Sequence, residues 1–167
     1  HTGFAAAELA ESRQWDAFWR NTRTVFSIHN MAYQGGFDLS ELWKFGFGSS
    51  FAQNAFSFNG YASAMKAGLA ISDTLSTVSR RYAQEIQTPE NGYGLEWLTR
   101  QRNDRLIGIT NGIDTEVWNP ETDPELGAHF SRFDMRGKAE CKQALLDAFS
   151  LPVDLNKPIL ASITRLT

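Results

Sequence analysis

With 167 residues, of which 42% are hydrophobic and 13% aromatic, the chain has enough apolar material for a core of its own. A net charge of −3 gives no electrostatic footprint for phosphate backbones, and no apolar run approaches the roughly 18 residues of a membrane span, which argues against nucleic acid and membrane as partners. Small molecules or neutral polymers fit better.

Gly3 to Arg13 sets Phe4, Ala5, Ala6, Leu9 and Ala10 in a helical pattern, with Thr2 as its candidate cap. Thr24 to Ile28 is a short β-type segment that delivers His29 and Asn30 at its C-terminal end, where α/β sheets put their ligands. A polar, glycine-rich loop, Ala32 to Phe37, follows, and Ser40 is placed to cap a short helix through Leu42, Trp43 and Phe45. From Gly46 to Phe58, glycine, serine and asparagine alternate with Phe47, Phe51, Phe56 and Phe58, which predicts a long aromatic-packed loop.

Helical periodicity returns from Asn59 to Ser72, where Tyr61, Ala64, Met65, Gly68, Leu69 and Ser72 share a face. A strand is predicted over Thr74 to Val78, then a helix capped by Ser79 through Tyr82, Ala83 and Ile86. A turn at Thr88 to Gly92, a helix over Leu95 to Arg102 and a strand over Leu106 to Ile109 complete the series. Strands alternating with helices are the order of an open parallel sheet covered by helices.

At Asn111 to Asp123 the pattern changes. Asn111-Gly112 is a strong turn dipeptide, Asp114 can bond nearby backbone, and Asn119-Pro120 stops any helix between them, so this stretch reads as a hinge. Beyond it, Lys138 to Phe149 is an amphipathic helix in which Cys141 reads as a small buried hydrophobe rather than a reactive thiol, and Pro158 to Ile163 reads as a strand. A chain that opens on His1 and stops at Thr167 just after an apolar strand is expected to be an internal piece of a longer one.

Few side chains point to chemistry by themselves. His1 precedes a helix N-terminus, where a neutral imidazole could hydrogen-bond a ligand, or it is a solvated terminal residue. His29 either reaches a ligand or bonds to loop backbone, and His129 reads as structural or solvated. The loop Asn30 to Phe37 offers amide, phenol and backbone donors suited to a hydroxyl-rich ligand, with Tyr33 able to stack on a sugar, or else its aromatics plug the core. Arg165 could meet a phosphate or lie on the surface, and Lys66 reads as a snorkelling stem. Metal-ligand spacing, P-loop, nucleophile elbow and dinucleotide fingerprint are all missing.

A series of longer motifs goes further. Ser27-Ile28-His29-Asn30-Met31-Ala32-Tyr33-Gln34-Gly35, Lys66-Ala67-Gly68-Leu69, Thr77-Val78-Ser79 and Tyr82-Ala83-Gln84-Glu85-Ile86 come first. Gly92-Tyr93-Gly94-Leu95, Asn111-Gly112-Ile113-Asp114, Trp118-Asn119-Pro120-Glu121-Thr122-Asp123 and Thr164-Arg165-Leu166-Thr167 follow. In order and spacing the set resembles bacterial glycogen synthase and plant starch synthase, over essentially the whole chain.

The resemblance implies an α/β fold of the GT-B type, with two Rossmann-like domains facing across a cleft. Residues 1–110 would be the C-terminal part of the acceptor-side domain, 111–156 the hinge and connecting helix, and 157–167 the first strand of the nucleotide-sugar domain. The implied reaction transfers glucose from ADP-glucose to the non-reducing end of an α-1,4-glucan with retention, with no metal or other cofactor. The partners would be a nucleotide sugar and an α-glucan, in bacterial cytoplasm, or in a plastid if the source is a plant.

Matched by position, His1 and Asn111 would reach the donor glucose, Arg165 the diphosphate, and Asn30, Tyr33 and Gln34 the acceptor side. The family's lysine-glycine-glycine loop, the lysine partner of Arg165 and a carboxylate of the second domain fall outside this chain, which alone is expected to be inactive. The rival readings are another retaining GT-B transferase using UDP-glucose, a non-catalytic glucan-binding module, and a purely structural α/β piece.

Overall fold

The alternation Val25-Phe26-Ser27-Ile28 buries Phe26 and Ile28 and leaves Val25 and Ser27 open, which is how a strand with one covered face reads. In the computed structural model, which describes residues 2–152 and 154–164, the chain divides into two compact units, His1–Asn111 and Gly112–Thr167. The first unit begins with α1 (Gly3–Ser12), β1 (Val25–Ile28), β2 (Gly36–Phe37) and a 3-10 helix over Leu39–Phe45. Next come α2 (Ser50–Phe56), β3 (Ser57–Phe58), β4 (Tyr61–Ser63), α3 (Ala64–Ile71) and β5 (Thr74–Thr77). It ends with α4 (Arg80–Glu85), α5 (Pro89–Gly92), α6 (Glu96–Gln101), a 3-10 turn over Asn103–Arg105 and β6 (Leu106–Gly108).

Three strands make a parallel sheet in the order β1-β5-β6, with Ile28, Thr77 and Gly108 in register at the C-terminal ends. Parallel neighbours require crossovers. The first crossover contains a small antiparallel sheet, β2-β4-β3, with α2 and α3; the second contains α4 to α6. Phe26, Ile28 and Leu75 of the large sheet pack with Met65 and Leu69 of α3 and with Ile86, Leu95 and Leu98. A second cluster joins Ala7 of α1 to Leu42, Phe47, Phe56, Ala64 and Ala67. Gly68 lets α3 lie on the sheet: a Cβ there would sit 2.3 Å from the Phe26 ring.

Polar contacts fix the other end of the sheet. Asp73 accepts from the Thr24 amide at 2.7 Å, the Thr24 hydroxyl at 3.0 Å and Arg13 Nη2 at 3.0 Å. Burial opposes ionisation of this carboxyl, but those donors outweigh it and hold its pKa well below the ordinary carboxylate range. Arg102 donates to the carbonyls of Leu69, Ala70 and Ser72, closing the C-terminus of α3 with a cation.

The second unit holds α7 (Arg136–Ala148) and a series of polar turns. Asp114 Oδ1 accepts from the Glu116 and Val117 amides, Asn119 Oδ1 from Glu121 and Asp123 Oδ1 from Glu125, each a local Asx turn. No helix among the described residues is long and apolar enough to cross a membrane.

Several expectations need correction. Thr2 makes no capping bond to α1, and Asp38, not Ser40, caps the 3-10 helix by accepting from the Ser40 amide. Gly46 to Phe58 is not all loop: Ser49 caps α2 through the Ala52 amide, and Ala52, Ala55 and Phe56 form its buried face. The helix expected from Asn59 starts only at Ala64, because Asn59 and Gly60, with φ of 48° and 86°, turn a hairpin between β3 and β4.

Thr88 to Gly92 contains a helical turn, α5, with Pro89 at its start, where the missing N–H costs nothing. Cys141 is half-buried rather than buried, and its thiol donates to the Ala128 carbonyl. Pro158 to Ile163 forms no ladder; a strand needs a paired neighbour, and Leu160 and Ile163 stand fully exposed.

Candidate functional site

The C-terminal edge of the parallel sheet gathers the chemistry-bearing side chains of the first unit. Because Ile28, Thr77 and Gly108 are in register, the residues after them, His29-Asn30, Val78-Ser79 and Ile109-Thr110-Asn111, leave from one edge. Thr77 Oγ1 donates to the Ile28 carbonyl at 2.7 Å and Ile109 N to the Thr77 carbonyl at 2.8 Å, which ties the three strand ends together. Ser79 accepts from the Tyr82 amide at 2.9 Å and starts α4 at the same edge. The absent Cβ of Gly108 makes room, since it would fall 2.3 Å from the Ser79 carbonyl oxygen.

The loop after β1 is held from below and points outward above. Met31 is fully buried, and its amide donates to the Tyr82 hydroxyl at 3.1 Å. Asn30 Oδ1 accepts from the Ala32 amide at 2.9 Å, so the Asn30 side chain is fixed through its oxygen and keeps its amide N–H groups for other partners. Tyr33 is 77% exposed. Gln34 is the most constrained member: its Nε2 donates to the Tyr93 carbonyl at 2.9 Å and its Oε1 accepts from the Tyr61 hydroxyl at 3.1 Å.

Asn30, Tyr33 and Gln34 line one open cleft of about 550 Å³ with Thr2, Ser27, His29 and Met65. Among the described residues the lining contains no carboxylate, lysine or arginine. Such a surface offers amide, imidazole, phenol and hydroxyl groups around an apolar floor, which suits a neutral hydroxyl-rich ligand better than a phosphate. Lys66 takes no part: its Nζ donates to the Asn54 carbonyl at 2.5 Å, and burial pushes its pKa down.

Of the expected site residues, Asn30, Tyr33 and Gln34 are brought together, and His29, whose role the sequence leaves open, joins them. Asn111 is the last residue of the first unit, exposed, with no hydrogen bond from its side chain among the described residues. His1 and Arg165 lie outside the described residues. Sequence reading misses Tyr61, Ser63, Tyr82 and Tyr93, which hold the loop. Their contacts join residues 27 to 59 positions apart, a separation that no local pattern signals.

Comparison with known proteins gives a consistent picture. Residues 1–101 match the model of the starch synthase catalytic domain family. The chain is 43% identical to a glycogen synthase of Streptococcus gordonii over 169 residues, covering all of this chain and 36% of that protein. To a glycogen synthase of Burkholderia thailandensis it is 48% identical over 146 residues, covering 87% of this chain and 27% of that one.

Among solved structures, the catalytic domain of starch synthase IV from Arabidopsis thaliana, bound to ADP and acarbose, superposes with a TM-score of 0.66 at 34% identity, covering 88% of this chain and 31% of that one. The chain thus spans about a third of the length of the curated relatives it matches. Its α/β architecture with a parallel sheet matches the GT-B starch synthase catalytic domain. On the family match over residues 1–101, this chain belongs to the starch synthase catalytic domain family.

Proposed function

We propose that this chain is the central part of a retaining glucosyltransferase that moves glucose from ADP-glucose to the non-reducing end of an α-1,4-glucan, and that the cleft after β1 receives the glucan. The observation that carries the reading is the cleft itself: lined without carboxylate, lysine or arginine among the described residues, with amide, phenol and hydroxyl groups around an apolar floor, at the C-terminal ends of parallel strands, with an outward tyrosine. Family membership supports the reaction class. A relative at 34% identity has been solved with ADP and with acarbose, an oligosaccharide.

In this reading the work is divided. Breaking the glucose–phosphate bond leaves positive charge on the sugar and negative charge on the diphosphate, so catalysis rests on fixed donors and cations at those places. Arg165 supplies a guanidinium fork for the diphosphate, and His1 and Asn111 hydrogen-bond the donor glucose. Asn30 and Tyr33 meet the glucan, Tyr33 by stacking on a sugar face. No metal ion or further cofactor enters the scheme. Residues 1–110 form the C-terminal part of the acceptor-side domain, 111–156 the interdomain hinge and connecting helix, and 157–167 the entry to the nucleotide-sugar domain.

The test is incorporation of labelled glucose into glycogen by the full-length protein that carries this segment, with ADP-glucose and UDP-glucose as alternative donors. Transfer from ADP-glucose is expected. Transfer from UDP-glucose alone would reassign the donor, and glycogen binding without transfer would make the protein a glucan-binding module. The 167-residue chain alone, about a third of its relatives' length, is expected to incorporate nothing above background.

A further inference from the structure

Gln34 lines the cleft, yet both ends of its carboxamide are already committed to protein. Nε2 donates to the Tyr93 carbonyl at 2.9 Å, and Oε1 accepts from the Tyr61 hydroxyl at 3.1 Å. Its main-chain carbonyl accepts from the Met65 amide at 3.0 Å and from Ser63 Oγ at 3.1 Å. One residue therefore joins the loop after β1, the β4–α3 junction and the turn after α5.

That turn is unusual. Tyr93 holds the left-handed conformation at φ 51°, ψ 39°, and Gly94 follows at φ 82°. A tyrosine adopts that conformation only where its surroundings hold it, and Gln34 Nε2 on the Tyr93 carbonyl is one such restraint. At either side of the link stand two solvent-facing rings: Tyr33, next to Gln34 in the chain and 77% exposed, and Tyr93, 53% exposed.

We propose that Gln34 is a positioning residue rather than a glucan contact, and that it fixes Tyr33 relative to Tyr93 so that the two exposed rings act as one aromatic surface for an α-glucan. The inference rests on the glucosyltransferase reading and deepens it. Tyr93 becomes a binding residue, and Gln34 acts through its neighbours. Exposed rings held by backbone and hydrogen bonds bind a sugar polymer without the entropic cost of ordering them on contact.

The experiment measures transfer kinetics of the full-length protein with a maltooligosaccharide acceptor. Gln34→Glu keeps the side chain's size but sets a carboxylate against the Tyr93 carbonyl. It is expected to raise the acceptor KM roughly five-fold, the scale of one lost hydrogen bond, while kcat and the ADP-glucose KM stay within about two-fold. Tyr93→Ala is expected to raise the acceptor KM in the same way. In a Tyr33→Ala background Gln34→Glu should add less than about two-fold, because a positioning residue has nothing left to position.

Full additivity in that background would overturn the proposal, since Gln34 would then meet the glucan itself. An unchanged acceptor KM with a lowered melting temperature would overturn it too, leaving Gln34 as scaffold. Should Gln34→Glu fail to fold, Tyr61→Phe removes only the hydroxyl that steadies the carboxamide; a raised acceptor KM that vanishes with Tyr33→Ala supports the link, and no change in KM overturns it. If the unsubstituted protein transfers no glucose, the functional reading fails first, before any substitution is made, and this inference falls with it.

Discussion

The two units of the chain reach order by opposite means. Among the described residues, every buried hydrophobic residue except Leu146 belongs to His1–Asn111, where strands, helices and both core clusters interlock across long sequence separations. In Gly112–Thr167, aspartate, asparagine and serine side chains bond to amides two or three residues ahead, at Asp114, Asn119, Asp123, Ser131 and Asp134. Burial makes the first unit cooperative and sensitive to a change in shape. Local turns make the second tolerant, because each fixes only its own few residues.

That contrast is open to attack from the core outward. Phe56→Ala removes a fully buried ring that touches Phe4, Phe37 and Phe47, and is expected to cost about 3–5 kcal/mol in denaturant unfolding. Asp73→Asn comes next, at about 1–3 kcal/mol, because Arg13 and Thr24 lose their charged acceptor. The sign of its pH dependence follows from a folded pKa held below the unfolded value. The Asp73 contribution is complete above about pH 4 and is lost as the pH falls toward the folded value. Acid titration of thermal stability should therefore show a shallower acid loss in Asp73→Asn.

In the full-length protein that carries this segment, Asn111→Ala, at the boundary between the units, is expected to slow glucose transfer roughly ten-fold while leaving the melting temperature within about 2 °C. An unchanged rate with a much lower melting temperature would make Asn111 a turn former only. Asp114→Ala is expected to do least: it frees the Glu116 and Val117 amides to water and should shift the melting temperature by no more than about 2 °C. A large loss there would mean that the second unit folds cooperatively after all.

The same division governs what can be read from sequence. β1, β5, β6 and the Ser79 cap of α4 are legible because alternation and capping are local. The Asn59-Gly60 hairpin is local as well, but the helical spacing from Tyr61 to Ser72 outweighs the turn signal. Phe47 and Phe56 read as loop aromatics because their partners, Phe4 and Phe37, lie far away in the chain. At the site, a strand end carrying His29 and Asn30 is visible from spacing, whereas the hydroxyl of Tyr82 under Met31 and the carboxamide of Gln34 on Tyr93 appear only in three dimensions. The roles of His1, Asn111 and Arg165 rest on motif resemblance alone, since nothing in their immediate neighbours distinguishes a ligand from a surface residue.

The half-covered parallel sheet has a practical consequence. Val25 and Ile107 are 64% and 54% exposed on the face opposite Phe26 and Leu75, and among the described residues β1 and β6 each pair along one edge only. Parallel sheets are normally covered on both faces, and apolar faces beside free edges invite pairing between molecules. Handled by itself at high concentration, the 167-residue chain is therefore prone to come out of solution, and charged replacements at Val25 and Ile107 are the first remedy to try.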